Sequence, residues 1–390
     1  MALRPGYKEG SDILAGLGLP LKPKIFRLNL AWSLHSFPAP QYSDRRDSEA
    51  QIILIANALL FGGRWPKIWL WKIFTSMRIR GKKSNRFGLI GTITHDVITY
   101  ATGQVFRGLG GILYQAAALC GLGREVFLYT CLGKELCPGV NKIIAQWPTC
   151  HTRGIRVVPG PGNNVFLHYP EEGERIEILE SCVPALKPQR VIEDLPHLCL
   201  LIGVINSGFD IDLRDWRKTV RKAECPIWFD VHSLALSLNL HTPRSYRLLP
   251  EWKEWAEGVT YLQANLKEAA SMLGDPAKRP SWDKLHRFGE AASEVGAKAV
   301  FITLGKEGVL VLTPETSQKM SEPDVAHIVD TTGCGDVFCA GTVAKLASGV
   351  DPLKAAAYGL ELASEAARVS GVGETYALVR NLGSKAVEDS

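Results

Sequence analysis

The sequence predicts an α/β fold, a mainly parallel sheet covered by helices on both faces, with a small β insertion. Three observations carry this. Short apolar, β-prone runs alternate with stretches of helical spacing from residue 86 onward. The alternation breaks once, at about 155–181, where short strands are separated by Pro159-Gly160-Pro161-Gly162 and Glu171-Glu172-Gly173. A glycine-flanked turn, Asp330-Thr331-Thr332-Gly333-Cys334-Gly335-Asp336, then leads directly into an apolar run of helical spacing from Val337 to Ser348.

Taken in order, a strand is expected over 87–93, ending near Asp96, then a helix over 109–123 that stops at Gly123. A strand over 125–132 and a helix over 140–147 follow, and the insertion supplies strands at 155–158, 165–169 and 175–179. The α/β rhythm resumes with strand 198–205, helix 213–223, strands 227–231 and 259–263, helices 267–273 and 282–295, and strands 299–304 and 309–312. The helix after the glycine turn and one over about 353–369 complete the pattern. In sheets of this kind ligands bind beyond the carboxyl ends of the strands. That rule gathers Asp96, Asp230, Asn265, the turn at Gly305 and Asp336 on one rim.

A chain of 390 residues with 46% hydrophobic content can bury a large core, which excludes wholesale disorder. Its net charge of +5 is unevenly spread. Residues 1–84 hold 14 Lys/Arg against 5 Asp/Glu, so the remainder carries 31 against 35, or −4. A slightly acidic body gives no footprint for nucleic acid. Nine scattered cysteines without zinc spacing read as free thiols of a reducing compartment, hence a cytoplasmic protein. No run reaches the ~18 apolar residues of a spanning helix, so stable membrane insertion is not expected. Residues 1–84 show no sustained period and read as an N-terminal extension, poorly ordered or begun upstream of a natural start at Met77. The α/β body is placed at 85–380, its insertion at about 155–181 and a tail at 381–390.

The chemistry begins at the glycine turn. The first N–H groups of a helix lack internal partners and face the positive end of its dipole, which makes an anion site. Gly333 and Gly335 let the backbone approach an anion closely. Asp336 sets a carboxylate beside it, ionised with an ordinary pKa near ~3.9. That carboxylate is suited to orienting and deprotonating an alcohol that attacks a phosphoryl group held by those N–H groups. Asn265-Leu266-Lys267-Glu268 has the form of a capping box, while Glu268 can also hold magnesium through water and Asn265 a phosphate oxygen. Thr303-Leu304-Gly305-Lys306-Glu307-Gly308 joins two strands by a tight turn that can border a nucleotide. Asp96 can accept hydrogen bonds from substrate hydroxyls.

These stretches together resemble the ribokinase-like, or phosphofructokinase-B, family of carbohydrate kinases over about residues 86–375. Asp330 to Asp336 looks like its D-T-x-G-A-G-D signature with Cys334 in place of Ala. The resemblance implies a ribokinase-like three-layer sandwich with a β lid that often builds a homodimer. It further implies Asp336 as catalytic base and Gly333, Cys334 and Gly335 as anion hole. Asn265, Thr303, Gly305 and Gly308 match nucleotide-binding positions, Glu268 the N-x-x-E magnesium position, and Asp96 the substrate-binding Asp. Gly110-Gly111-Ile112-Leu113-Tyr114-Gln115 stands for G-G-x-x-x-N, which assigns Gly110, Gly111 and Gln115 to substrate. Gln115 replaces Asn there, Asp230-Val231-His232-Ser233-Leu234 lacks the Arg of D-x-N-x-R, and Gly133-Lys134-Glu135 replaces G-D-D. The expectation is an ATP- and Mg²⁺-dependent kinase for a hydroxyl of a sugar, sugar-like molecule or nucleoside, with a monovalent cation near the glycine turn left open. The alternative is a catalytically silent small-molecule sensor on the same fold; loss of Asp336 or both turn glycines would favour it, and neither is lost.

Overall fold

The computed structural model describes residues 85–172, 175–206, 210–321 and 327–388. The extension expected over 1–84 lies outside the described residues. The strands in chain order are β1 (Arg86–Ile90), β2 (Ile93–Tyr100), β3 (Val105–Gly111), β4 (Glu125–Gly133), β5 (Cys150–Val158), β6 (Asn163–Tyr169), β7 (Ile176–Ser181), β8 (Leu200–Val204), β9 (Ile227–Asp230), β10 (Tyr261–Asn265), β11 (Ala299–Thr303), β12 (Val309–Leu312) and β13 (Ser317–Met320). The α-helices are α1 (Leu113–Gly121), α2 (Cys137–Ile144), α3 (Gln189–Asp194), α4 (Leu213–Lys222), α5 (Trp252–Ala256), α6 (Leu266–Met272), α7 (Trp282–Glu294), α8 (Cys334–Leu346), α9 (Pro352–Ala366) and α10 (Gly371–Glu388).

A nine-stranded sheet runs β13-β12-β11-β10-β9-β8-β1-β4-β5 and a four-stranded sheet runs β3-β2-β6-β7. The large sheet is parallel from β11 to β5, with β12 and β13 added antiparallel at one edge. Period-two alternation along each strand sorts side chains to two cores. Phe87 and Leu89 of β1, with Ala299 and Phe301 of β11, meet α1, α8, α9 and α10 on one face. Ile90, Val300 and Ile302 meet α4, α5, α6 and α7 on the other. This is the three-layer arrangement that alternating strands and helices predict.

Helix α8 is buried along most of its length, so it sits against the sheet and fixes the turn in front of it. Its contact with α9 is close because Gly359 carries no side chain: a Cβ there would stand 2.6 Å from the Phe338 carbonyl oxygen. Gly333, in the left-handed region at φ 81°, is its N-cap, a conformation glycine adopts without the Cβ penalty.

The smaller sheet corrects the sequence reading. The strand expected over 87–93 is two strands, β1 in the large sheet and β2 in the small one. Asp96 therefore lies in the middle of β2, opposite Gly108 and Val165, rather than just beyond a strand end. The helix expected to begin at Leu109 begins at Leu113, because Val105–Gly111 pairs antiparallel with β2. The stretch at 155–158 pairs parallel with β4 and belongs to the large sheet. The insertion thus comprises β2 and β3 as well as β6 and β7. Strand β13 and helix α10 were not anticipated, and α10 runs to Glu388, through the position expected to start a tail.

Candidate active site

Three parallel strands end side by side on one rim. Asp230 closes β9 opposite Gln263 of β10, and Asn265 closes β10 opposite Thr303, which closes β11. Gln263 Nε2 donates to the Gly335 carbonyl at 3.1 Å and so ties the rim to the glycine turn. The Cys334 N–H donates to the Thr331 carbonyl at 3.2 Å, which closes the turn. Gly335 is exposed, and a side chain there would meet only Gln263 Nε2 at 3.8 Å, so the backbone is open to an incoming group. Gly333, by contrast, is covered by the ring of Tyr114, which a Cβ would overlap.

Asp336, in the first turn of α8, is half-buried. Burial pushes its carboxyl well above the ordinary range, Asp230 and Asp96 push it further, and Arg175 opposes them. An ordinary pKa for this aspartate was the expectation. The structure raises it instead, first because the carboxyl is withdrawn from water and then because like charges crowd it. Burial, followed by Glu268, likewise pushes Asp230 well up. Glu268 is raised to about 8, chiefly by burial, with Asp336 and Glu177 adding to the effect.

Asn265 and Glu268 form the capping box in full. Asn265 Oδ1 accepts from the Lys267 and Glu268 N–H groups at 2.9 Å each, and Glu268 Oε2 accepts from the Asn265 N–H at 2.7 Å. Asn265 Nδ2 also donates to Glu268 Oε1 at 2.6 Å. Beyond Thr303, Gly305 and Gly308 take φ of 60° and 95°. The Leu304 N–H reaches the Gly308 carbonyl at 2.8 Å, a tight turn with no side chain over Gly305.

The small sheet lies across this rim. Asp96 is buried on its inner face with its pKa raised to about 6, mainly by burial and against a Thr94 hydrogen bond. Gly110 makes the room: a Cβ there would overlap the Asp96 carboxylate. Gly111, at φ 63°, turns the chain into α1, and a Cβ on it would overlap the Thr92 carbonyl. Gln115 is fully buried, and neither of its amide atoms has a hydrogen-bond partner among the described residues. At the far end of the sheet Tyr100 and Tyr169 stack with centroids 5.6 Å apart. Tyr169 Oη and Thr332 Oγ1 are hydrogen-bonded at 3.1 Å, so the small sheet touches the glycine turn directly.

Residues 232–377 match the sequence model of the pfkB family carbohydrate kinases. The chain is similar to a ribokinase of Arabidopsis thaliana, 26% identical over 155 residues, an alignment covering 40% of this chain and 37% of that protein. The chain thus aligns with well under half of that relative's length. Among solved structures, Arabidopsis thaliana ribokinase complexed with ribose and ATP superposes with a TM-score of 0.59 at 16% identity, covering 76% of this chain and 98% of that one. Adenosine kinase from Sinorhizobium meliloti gives a TM-score of 0.62 at 17% identity, covering 78% and 100%. At such identities these structures share the fold.

The site departs from sequence expectation most on the lid side. Arg175, at the start of the last lid segment, was read only as part of a strand. Its guanidinium is one of the forces lowering the pKa of Asp96, Asp336 and Glu268, and it pairs with Glu177 at 3.2 Å. Position 234 lacks the arginine of the family motif, but Arg244, ten residues later, brings a guanidinium to the same backbone. Fully buried, it donates to the Ser233 carbonyl at 3.2 Å and the Ser237 carbonyl at 2.9 Å, and pairs with Glu177 at 2.8 Å. That tie spans loop and lid, so no local spacing announces it. His232, held near pKa about 4 mainly by burial, is neutral and bonded to Ser233, as a satisfied polar group.

Two buried carboxyls give a pH dependence of definite sign. Burial raises Asp96 from 3.8 to about 6 and Asp210 from 3.8 to about 7. Each binds its proton more tightly folded than unfolded, so this contribution is complete below the unfolded value and is lost as pH rises through the folded one. The ligand-free protein should therefore lose melting temperature between about pH 5 and pH 8. Asp210→Asn, which keeps an acceptor for the Asn206 N–H bond of 2.8 Å, should flatten that loss; an unchanged slope in melts across this range contradicts the assignment.

Proposed function

We propose that this protein is an ATP-dependent kinase that phosphorylates a hydroxyl group of a small polyhydroxyl molecule, a sugar, a sugar-like compound or a nucleoside. The observation that carries the reading is the meeting of Asp336, the open backbone of Gly335 and the Asp96 carboxylate in one cleft between rim and lid. The acceptor lies against the inner lid face, with its hydroxyls on Asp96 and beside Gly111. Asp336 orients the attacking hydroxyl and receives its proton, a late transfer in a loose phosphoryl-transfer transition state. The N-terminus of α8 supports the charge on the phosphoryl oxygens through the open backbone of Gly335 and the helix dipole; Gly333 and Cys334, expected to share that role, are covered by Tyr114 and bonded to the Thr331 carbonyl, respectively. Thr303, Gly305 and Gly308 border the nucleotide, and Asn265 stands at its phosphates. Ribokinases of the same fold, solved with ATP or with ADP, support a nucleotide as the phosphoryl donor.

The donor set also fits magnesium. Among the described residues no group of three His, Cys, Asp or Glu side chains could cage a metal, yet the carboxylates of Asp230, Glu268 and Asp336 raise one another's pKa, opposed at Glu268 and Asp336 by the guanidinium of Arg175. Hard oxygen donors in small number, completed by water and phosphate, are what Mg²⁺ takes. Glu268, its two oxygens aimed by Asn265, would hold the ion through water. When bound, the ion supplies positive charge to the phosphate oxygens.

The outer face of the lid carries exposed Val105, Phe166 and Ile176 on neighbouring strands, a surface we assign to a second copy of this chain. Phe166→Glu should convert a dimer to monomer in sedimentation velocity; a monomeric wild type removes this assignment. For the chemistry, Asp336→Ala should lower kcat by at least ~10²-fold, the usual worth of a positioned base, with nucleotide affinity retained. Coupled ADP-release kinetics and nucleotide titration read the two effects, and wild-type turnover in the variant rules the mechanism out.

A further inference from the structure

One group in the cleft is buried at a cost that packing does not explain. Tyr114, the second residue of α1, is 3% exposed, and its hydroxyl has no hydrogen-bond partner among the described residues. Its ring lies on Gly333 so closely that a Cβ at 333 would overlap it. The ring therefore cannot swing aside while the glycine turn holds its place. The carboxylates of Asp96, Asp330 and Asp336, and the phenol of Tyr169, all act on the Tyr114 hydroxyl, with Asp96 the strongest influence after burial. Burial and these negative neighbours push its pKa well up, so it is a neutral O–H donor at physiological pH.

A phenylalanine would cover Gly333 equally well. Leaving a buried hydroxyl unpaired costs on the order of 1–3 kcal/mol, and such an atom in a native structure calls for an explanation outside the folded chain's own bonds. The neighbours name one. In the kinase reading Asp96 meets acceptor hydroxyls and Asp336 the attacking one, and both carboxylates act electrostatically on the Tyr114 hydroxyl. An acceptor spanning those two carboxylates brings oxygen atoms to the Tyr114 donor, which has no partner among the described residues.

Building on the kinase reading above, we infer that Tyr114 determines acceptor specificity: its hydroxyl donates to an acceptor oxygen next to the one that is phosphorylated, so the preferred substrate carries vicinal oxygens. The carboxylates are acceptors and take hydroxyl protons; Tyr114 supplies the complementary donor to a hydroxyl or ring oxygen. A donor left unpaired discriminates strongly against analogues lacking the oxygen it should meet. Polyols and sugars with adjacent hydroxyls satisfy it, and their deoxy analogues at that carbon do not.

The test compares wild-type full-length protein with Tyr114→Phe in two ways. Kinetics on the best polyol or sugar acceptor and on its deoxy analogues should show KM raised roughly 5- to 100-fold in the variant, the range of one buried hydrogen bond. One deoxy analogue should be used equally by both proteins, which identifies the oxygen read. Thermal melts without ligand should show the variant at least as stable as wild type, because removing an unpaired buried hydroxyl relieves a cost. An unchanged KM for the full acceptor, or a fall in melting temperature beyond ~4 °C, about 1–2 kcal/mol at this size, overturns the inference; the second result would assign the hydroxyl a structural bond. A wild-type protein that transfers phosphate to no polyol, sugar or nucleoside overturns the kinase reading instead, and the melts decide the hydroxyl's role independently of turnover.

Discussion

Crowding of like charge is the constraint on which this structure turns. Asp96 comes from the lid, Asp230 and Glu268 from the rim, and Asp336 from the first turn of α8, and their carboxylates raise one another's pKa across one cleft. Two guanidiniums answer them: Arg175 acts on Asp96, Glu268 and Asp336, while Arg244 is occupied with Glu177. Buried charges are costly unless paired, so the fold must fix every one of these groups by other means. It does so with backbone: the capping box holds Glu268, the His232 N–H meets Asp230 at 3.1 Å, and Gly110 opens space that Asp96 fills. A bound cation, or a ligand whose hydroxyls donate hydrogen bonds, relieves this crowding.

The lid is part of the same arrangement. Its root is tied by Arg244, which joins Glu177 of β7 to the backbone at Ser233 and Ser237, and the Arg244 N–H meets the Glu177 carbonyl at 2.8 Å. Its tip is tied by Tyr169 to Thr332. Asp330 steadies that contact by accepting from the Thr332 N–H at 2.9 Å and the Ser370 hydroxyl at 2.8 Å. The small sheet is thus tied down at both ends, which keeps Asp96 within electrostatic reach of Asp336.

How much of this was legible in the sequence follows from which interactions are local. The turn at 330–336 and the Asn265–Glu268 box are contiguous, and each residue type there has a backbone reason that spacing reveals. The parallel sheet was legible from its alternating rhythm. The lid was misread because β1 and β2 are separated by only Gly91 and Thr92, so two strands of different sheets read as one run. Strand β3, rich in glycine and leucine at 108–111, was absorbed into the helix that follows it. Arg244 and Arg175 were missed because their partners are remote in sequence. Tyr114 lies inside the glycine motif, but only tertiary packing shows its hydroxyl enclosed with no partner among the described residues.

The central claim is that this cleft joins a nucleotide's phosphoryl group to a hydroxyl of a small polyhydroxyl molecule. Phosphorus NMR tests it most directly, with full-length protein, ATP and Mg²⁺ incubated with pooled sugars, polyols and nucleosides. The account predicts a new phosphate monoester appearing in equal amount with ADP. Nucleotide bound without any ester formed, or only inorganic phosphate released, would contradict it.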